Sequence, residues 1–321
     1  MAVFVGREHY LRELTDLAAR AAADDGGVRW IVGDAGMGKT AVLGELVERI
    51  DPDTRVLSAT GREGETELAW GVFEQLVAPL VTEELDTRLP APQRSAGRSA
   101  LAPETSPAST DHLPPAPAMA GRNLLLLAAA TRPLLVLLDD WHWVDEPSRR
   151  ALDYVLARLE STPITVIVAG RRGDGAEPPV EALPLDPLDR DASLALLRER
   201  GVQDREVGER ILDQLGGNPL LLGAAASELD EPQRAGRAPL PDVLPVPASV
   251  IRLAEKHLVD LDTSTRDAVL IAAVAPRGDL RTVNLALRVL GHDGHPLERA
   301  EAAGIIPPDP SVRGLPHGLG R

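Results

Sequence analysis

The sequence predicts an α/β fold in which a mostly parallel sheet is covered by helices, followed by a helical part. Two observations carry this. In the first half of the chain, short apolar runs bounded by turn residues alternate with stretches whose apolar residues repeat at helical spacing. The runs are mainly apolar, as buried strands of a parallel sheet require. Beyond about residue 188 the strand signals fade and only helical spacing remains.

The first run, residues 28–32, lies between Gly26-Gly27 and Gly33 and reads as a buried strand. After a glycine-rich turn, Val42, Leu43, Leu46, Val47 and Ile50 fall on one side of a helix. Further strands are expected at 55–59, 134–138 and 164–169, with a short fifth near 182–185. Between the third and fourth, Ala151, Leu152, Val155, Leu156 and Leu159 again show helical spacing, with Asp145 placed to cap and Pro147 in the first turn. Residues 89–118 hold seven prolines with Ala, Ser and Thr, a loop composition expected to form a solvated insertion. Later, Leu194, Leu196 and Leu197, then Ile211, Leu212 and Leu215, then Leu220 to Leu222, indicate short helices. A Pro-rich joint from Pro232 to Pro247 precedes a mainly helical pattern over 250–305 (Ile251, Leu253, Leu258, Leu261; Val269, Leu270, Ala273).

Composition removes several function classes. With 321 residues the chain buries its own core without metal or disulfide, and with aromatics at 2% that core is built from Leu, Val, Ile and Ala. The absence of Cys removes thiolate zinc sites and cysteine nucleophiles, and fits a cytoplasmic protein. The net charge of −15 opposes binding to nucleic acid or anionic lipid by bulk electrostatics. No membrane span is expected: the longest apolar run, Leu124 to Leu138, is cut by Arg132 and Pro133 and is shorter than about 18 residues. The N-terminal residues lack the basic and apolar regions of an export signal.

Residues 33–40 read Gly33-Asp34-Ala35-Gly36-Met37-Gly38-Lys39-Thr40, a full match to G-x4-G-K-[ST]. The glycines let backbone N–H groups turn toward phosphate oxygens, and the helix that follows adds its dipole. Lys39 supplies a compact cation for the β- and γ-phosphates, and the Thr40 hydroxyl is placed to ligate Mg2+. Only two lysines occur, Lys39 and Lys256, so the match is specific. The strand at 134–138 ends in Asp139-Asp140. Such a strand is expected beside the first one, with Asp139 holding Mg2+ and Asp140 orienting or deprotonating a water at the γ-phosphate. Arg171 and Arg172 follow the fourth strand, where one of them could report the γ-phosphate. Trp141, His142 and Trp143 are expected to pack against the sheet edge.

On these residues the chain resembles the STAND class of signal-transduction P-loop ATPases, in particular the N-terminal ATPase module of large ATP-binding LuxR-family regulators. Phe4-Val5-Gly6-Arg7-Glu8 is similar to that family's adenine-side motif. GDAGMGKT matches its phosphate loop, LLVLLDDWHWVDEPS its acidic strand, and Gly216-Gly217-Asn218-Pro219-Leu220 its GNPL turn. The resemblance implies an AAA-like P-loop NTPase over 1–188, a helical lid over 189–247 and a winged-helix-like domain over 248–321, with ATP/ADP and Mg2+ as cofactors. It also implies that Val5, Gly6, Arg7 and Pro219 frame the adenine. Gly33, Gly36, Met37, Gly38, Lys39 and Thr40 would bind phosphates, Thr40 and Asp139 the metal. Asp140 would act in hydrolysis, with Lys39 and Arg171 at the γ-phosphate. His317 stands in a tail that departs from the family pattern. The function so implied is a nucleotide-dependent switch with slow ATPase activity, responsive to a small-molecule or protein inducer and self-associating in the ATP state. Neither the family's helical-repeat region nor its basic helix-turn-helix is read here, so direct nucleic-acid binding by this chain is not expected. The alternative is a P-loop enzyme, a kinase or NTP-driven remodeller with its own substrate.

Overall fold

The computed structural model describes residues 4–81, 88–91, 93–95, 116–171, 182–241, 244, 261–274, 280–292 and 296–302. Five strands, β1 (Gly27–Val32), β2 (Arg55–Thr60), β3 (Leu134–Asp139), β4 (Ile164–Gly170) and β5 (Ala182–Pro184), form one sheet in the order β2-β3-β4-β1-β5. All its pairings are parallel. Every residue of β3 and β4 is buried, and their sequences are accordingly apolar but for Asp139 and Thr165.

Side chains leave the strands alternately to two faces. Leu135, Leu137, Ile167 and Ala169 meet α1 (Glu8–Arg20) and α2 (Lys39–Arg49) through Leu11, Leu14, Val42 and Leu46. On the other face Leu134, Val136, Val166 and Val168 meet α3 (Gly71–Val77), α4 (Ala116–Ala129) and α5 (Glu146–Leu156) through Phe73, Leu76, Leu125, Leu152 and Val155. The α5 helix ends at Leu156, and Leu159, expected on its continuation, is buried just beyond it.

The sheet order corrects one expectation. The acidic strand β3 does not lie beside β1: β4 pairs with both of them and occupies the place between. Chain order carries no cue to this, because a parallel crossover can skip a position. The Pro-rich insertion is also shorter than its composition suggests. Residues 116–118 belong to α4, with Ala118 buried, and Leu89 joins the core; residues 96–115 lie outside the described residues. Pro117 is compatible with the first helical turn, where its missing N–H has no partner to lose.

After the sheet, α6 (Arg190–Glu199), α7 (Arg205–Leu215), α8 (Pro219–Glu228) and α9 (Glu231–Arg234) enclose a separate core of Leu197, Ile211, Leu222, Ala225 and Ala226. Asp189, Asp204, Asn218 and Asp230 each cap one of these helices with a side-chain oxygen. Helices α10 (Thr263–Val274), α11 (Leu280–Val289) and α12 (Pro296–Ala302) gather around Ala268, Val283 and Leu287. Ile251, Leu253, Leu258 and His317 lie outside the described residues. Among the described residues no helix is long and apolar enough to cross a membrane.

Candidate functional site

The strands β1, β3 and β4 all end at the same rim of the sheet, and each delivers one part of the site. From β1 the chain turns through Gly33–Gly38 and enters α2 at Lys39. Gly36 and Gly38 take the left-handed conformation, with φ of 80° and 88°. A side chain at Gly38 would clash with nothing, so the glycine is required there by backbone angle alone and its Cα faces open space. At Gly36 a Cβ would also stand 2.8 Å from Asn218 Oδ1 and from Leu220 Cβ, so a second contact excludes it.

Lys39 is buried beneath this turn. Its Nζ donates to the carbonyls of Gly33 at 2.7 Å and Asp34 at 3.0 Å. Burial pulls its ammonium below the ordinary lysine range, and the carboxylates of Asp140 and Asp139 act against that shift. The Thr40 hydroxyl donates to Asp139 Oδ2 at 2.7 Å, joining the start of α2 to the end of β3. Asp139 Oδ1 accepts from the Asp140 N–H at 2.9 Å, so both of its oxygens are oriented.

Asp140 has a left-handed backbone, φ 49° and ψ 48°. Burial first, and then the neighbouring Asp139 charge, raise its carboxyl above the usual range, while Lys39 and Arg171 pull it back down. Arg171 is the first residue after β4 and therefore emerges between the phosphate loop and the acids. Its guanidinium lies 5.7 Å from the centre of the Trp143 ring. Arg172 lies outside the described residues.

Of the aromatic residues after the acids, Trp141 differs from expectation. Trp141 is buried and meets Trp30 of β1 edge to face, with ring centres 5.3 Å apart. It therefore packs over the middle of the sheet, not its edge, because β1 is an inner strand. His142 sits with its ring 5.0 Å from that of Trp143.

Arg7 is buried, and its guanidinium donates to the carbonyls of Asp186 and, at 3.5 Å, Met37. It also lies over the Tyr10 ring at 5.6 Å. Arg7 thus ties the loop to the segment after β5, with Met37 buried beside it. Val5 is half-buried, and Gly6 rests on Leu188 and Ala192 of the next helical group. Pro219 opens α8, whose first turn meets the phosphate loop at Gly36. The structure therefore brings Gly33 to Thr40, Asp139, Asp140 and Arg171 together, with Gly6 and Pro219 at the seam between sheet and helices.

Two residues here were not singled out as site residues from sequence. Asn218 bonds to the phosphate loop through its side chain, and Trp143 carries Arg171. The Asn-Pro pair is a helix-start signal, but the loop contact spans 183 positions and leaves no local trace.

The residues fit a nucleotide phosphate and a divalent ion. The loop's Gly38 faces open space, a buried ammonium stands beneath it, and a hydroxyl and a carboxylate meet at its lip. Among the described residues no group of three or more His, Cys, Asp or Glu is gathered for a metal. The Thr40 hydroxyl and the Asp139 carboxylate are protein oxygens of the kind that Mg2+ takes one or two of.

Fold and site together define a P-loop nucleotide-binding α/β protein. A model of the AAA ATPase domain matches residues 3–168, just over half of the sequence, and the chain belongs to that family. Among solved structures, a Walker-type ATPase of Pyrococcus abyssi is 14% identical, with 94% of this chain and 90% of that one covered and a TM-score of 0.58. That likeness supports the shared fold. A STAND protein with a tetratricopeptide repeat sensor from Pyrococcus horikoshii is 16% identical, with 95% and 40% covered and a TM-score of 0.45. Drosophila ORC bound to DNA is 13% identical, with 95% and 79% covered and a TM-score of 0.47. No curated protein matches the sequence.

Proposed function

We propose that the chain is an ATP/ADP-binding regulatory switch module with slow ATPase activity, the nucleotide-binding part of a LuxR-type transcriptional regulator. The observation that carries this is the meeting of Lys39, Thr40, Asp139 and Asp140 beside the glycine turn, tied by the 2.7 Å bond from Thr40 to Asp139. In this reading Lys39 exchanges its two carbonyl partners for phosphate oxygens, a stronger charge-assisted contact. Gly36 and Gly38 offer backbone N–H groups to the phosphates; against expectation, the Gly33 N–H donates to the Gly170 carbonyl at 3.3 Å as the strand pairing runs on, and that of Met37 to the Asp34 carbonyl at 3.4 Å within the turn. Thr40 and Asp139 hold Mg2+, which when bound neutralises charge across the β- and γ-phosphates. Asp140 accepts a hydrogen bond from the attacking water, and its raised carboxyl suits a group that takes a proton. Arg171 reaches the γ-phosphate, while Val5, Gly6, Arg7 and Pro219 line the base side.

The helices over 189–247 act as a lid and those over 248–321 as a winged-helix-like domain. A small-molecule or protein inducer with ATP favours an open, self-associating form, in the cytoplasm. DNA contact is assigned to residues other than these, since the chain carries −15.

The test is to identify the nucleotide that copurifies with the protein, follow its exchange and measure turnover. Retained ADP, slow exchange and slow hydrolysis are expected. Fast turnover, or phosphoryl transfer to an acceptor, overturns the switch in favour of an enzyme with its own substrate. Lys39→Ala should weaken Mg-ATP binding by about 10- to 100-fold in titration calorimetry, the loss of one contact to a charged group; unchanged affinity overturns the phosphate-loop assignment.

A further inference from the structure

Asn218 uses both ends of its amide, in two different elements. Its Oδ1 accepts from the backbone N–H groups of Leu220 at 3.0 Å and Leu221 at 3.3 Å, which caps α8. Its Nδ2 donates to the carbonyl of Ala35 at 3.0 Å, inside the glycine turn. The Leu220 N–H also points at the carbonyl of Gly36, 3.3 Å away. The amide cannot be reversed, since its nitrogen would then face two N–H donors and its oxygen a carbonyl. The contact is close-fitting as well as polar, because Asn218 and Leu220 occupy the space a Cβ on Gly36 would need.

Ala35 and Gly36 belong to the same turn as Gly38, beside whose Cα the space is open. Any swing of α8 therefore pulls on the peptide units of this turn. We propose that Asn218 is a positioning residue that latches the lid to the phosphate loop, so that departure of the lid and release of nucleotide are one event. This rests on the nucleotide reading above. Arg7 contacts the same loop through the Met37 carbonyl, whereas the Asn218 side chain fastens it to α8.

Two substitutions separate the latch from the cap. Asn218→Ser retains a neutral capping oxygen but is too short to reach Ala35. Asn218→Asp retains the cap and presents only acceptors to the Ala35 carbonyl. Both should melt within about 2 °C of the parent, as capping residues exchange at small cost. In the nucleotide-free full chain, hydrogen exchange over 34–38 and 219–222 should quicken about five- to tenfold in both, the loss of one hydrogen bond. A fluorescent ADP analogue should dissociate faster by a similar factor while its association rate holds.

Exchange and release equal to the parent in both variants overturn the latch. So does an effect confined to the Asp variant, which reports charge repulsion alone, and so does faster release that merely tracks a fall in melting temperature. If the parent binds no nucleotide, the nucleotide reading fails while hydrogen exchange still decides whether Asn218 fastens the lid.

Discussion

The two carboxylates at the end of β3 have unequal surroundings. Asp139 is held by a hydroxyl and an N–H, whereas Asp140 sits beside that charge with water partly excluded. Because the folded carboxyl of Asp140 titrates above its unfolded value, its ionised form opposes folding. That cost is present in full above the raised folded pKa and vanishes below the unfolded value, at about pH 4. Asp140→Asn should therefore raise the melting temperature at neutral pH, with the gain disappearing as the pH falls through the carboxylate range. The same variant should keep Mg-ATP binding and lose hydrolysis by about 100-fold or more, the scale of a general base; lost binding in a folded protein would contradict the role given to Asp140. At this scale the phosphate loop and both acids were legible, because their chemistry is written in contiguous residues. The Arg171–Trp143 contact was not, since it joins separate strand ends.

Among the helices, α3 and α5 depend on one side chain. Asp145 accepts from the N–H of Ser148 at 2.9 Å, capping α5, and from those of Trp70 at 2.8 Å and Val72 at 3.2 Å at the start of α3. Two helix N-termini thus converge on a carboxylate only 1% exposed, and their dipoles offset its desolvation. The arrangement also holds Trp70 in a left-handed conformation, φ 72°, that a bulky residue seldom adopts. Asp145→Ala leaves three N–H groups without an acceptor and should cost about 3–5 kcal/mol, read as a fall in the urea midpoint. A change below about 1 kcal/mol would show that water replaces the carboxylate. The cap on α5 was readable from Asp145 and Pro147, but its service to α3 was not. Strand identities were readable for a similar reason: each buried run is local. The place of β4 between β1 and β3 was not, and in α4 an unbroken run of apolar residues after Arg122 and Asn123 hides the helical spacing of its buried face.

Taken whole, the molecule carries a charge of −15 that is screened beyond about 8 Å at physiological salt, so on the proposed function a phosphate ligand would answer to Lys39 and the loop rather than to the surface. A polyanion the size of duplex DNA spans far more of that surface. The chain should accordingly give no salt-sensitive shift with duplex DNA in an electrophoretic assay, and a shift that fades steeply with added salt would relocate DNA contact to these residues. The common rim of β1, β3 and β4 has a thermodynamic corollary. Residues 33–40, 139–140 and 171 are neighbours only once the sheet has been assembled, so an unfolded chain owns no such pocket. On the proposed function nucleotide would then act as a clamp on the native state: at about a thousand times its dissociation constant it would add about 4 kcal/mol, so that ligand supply and persistence of the fold are linked.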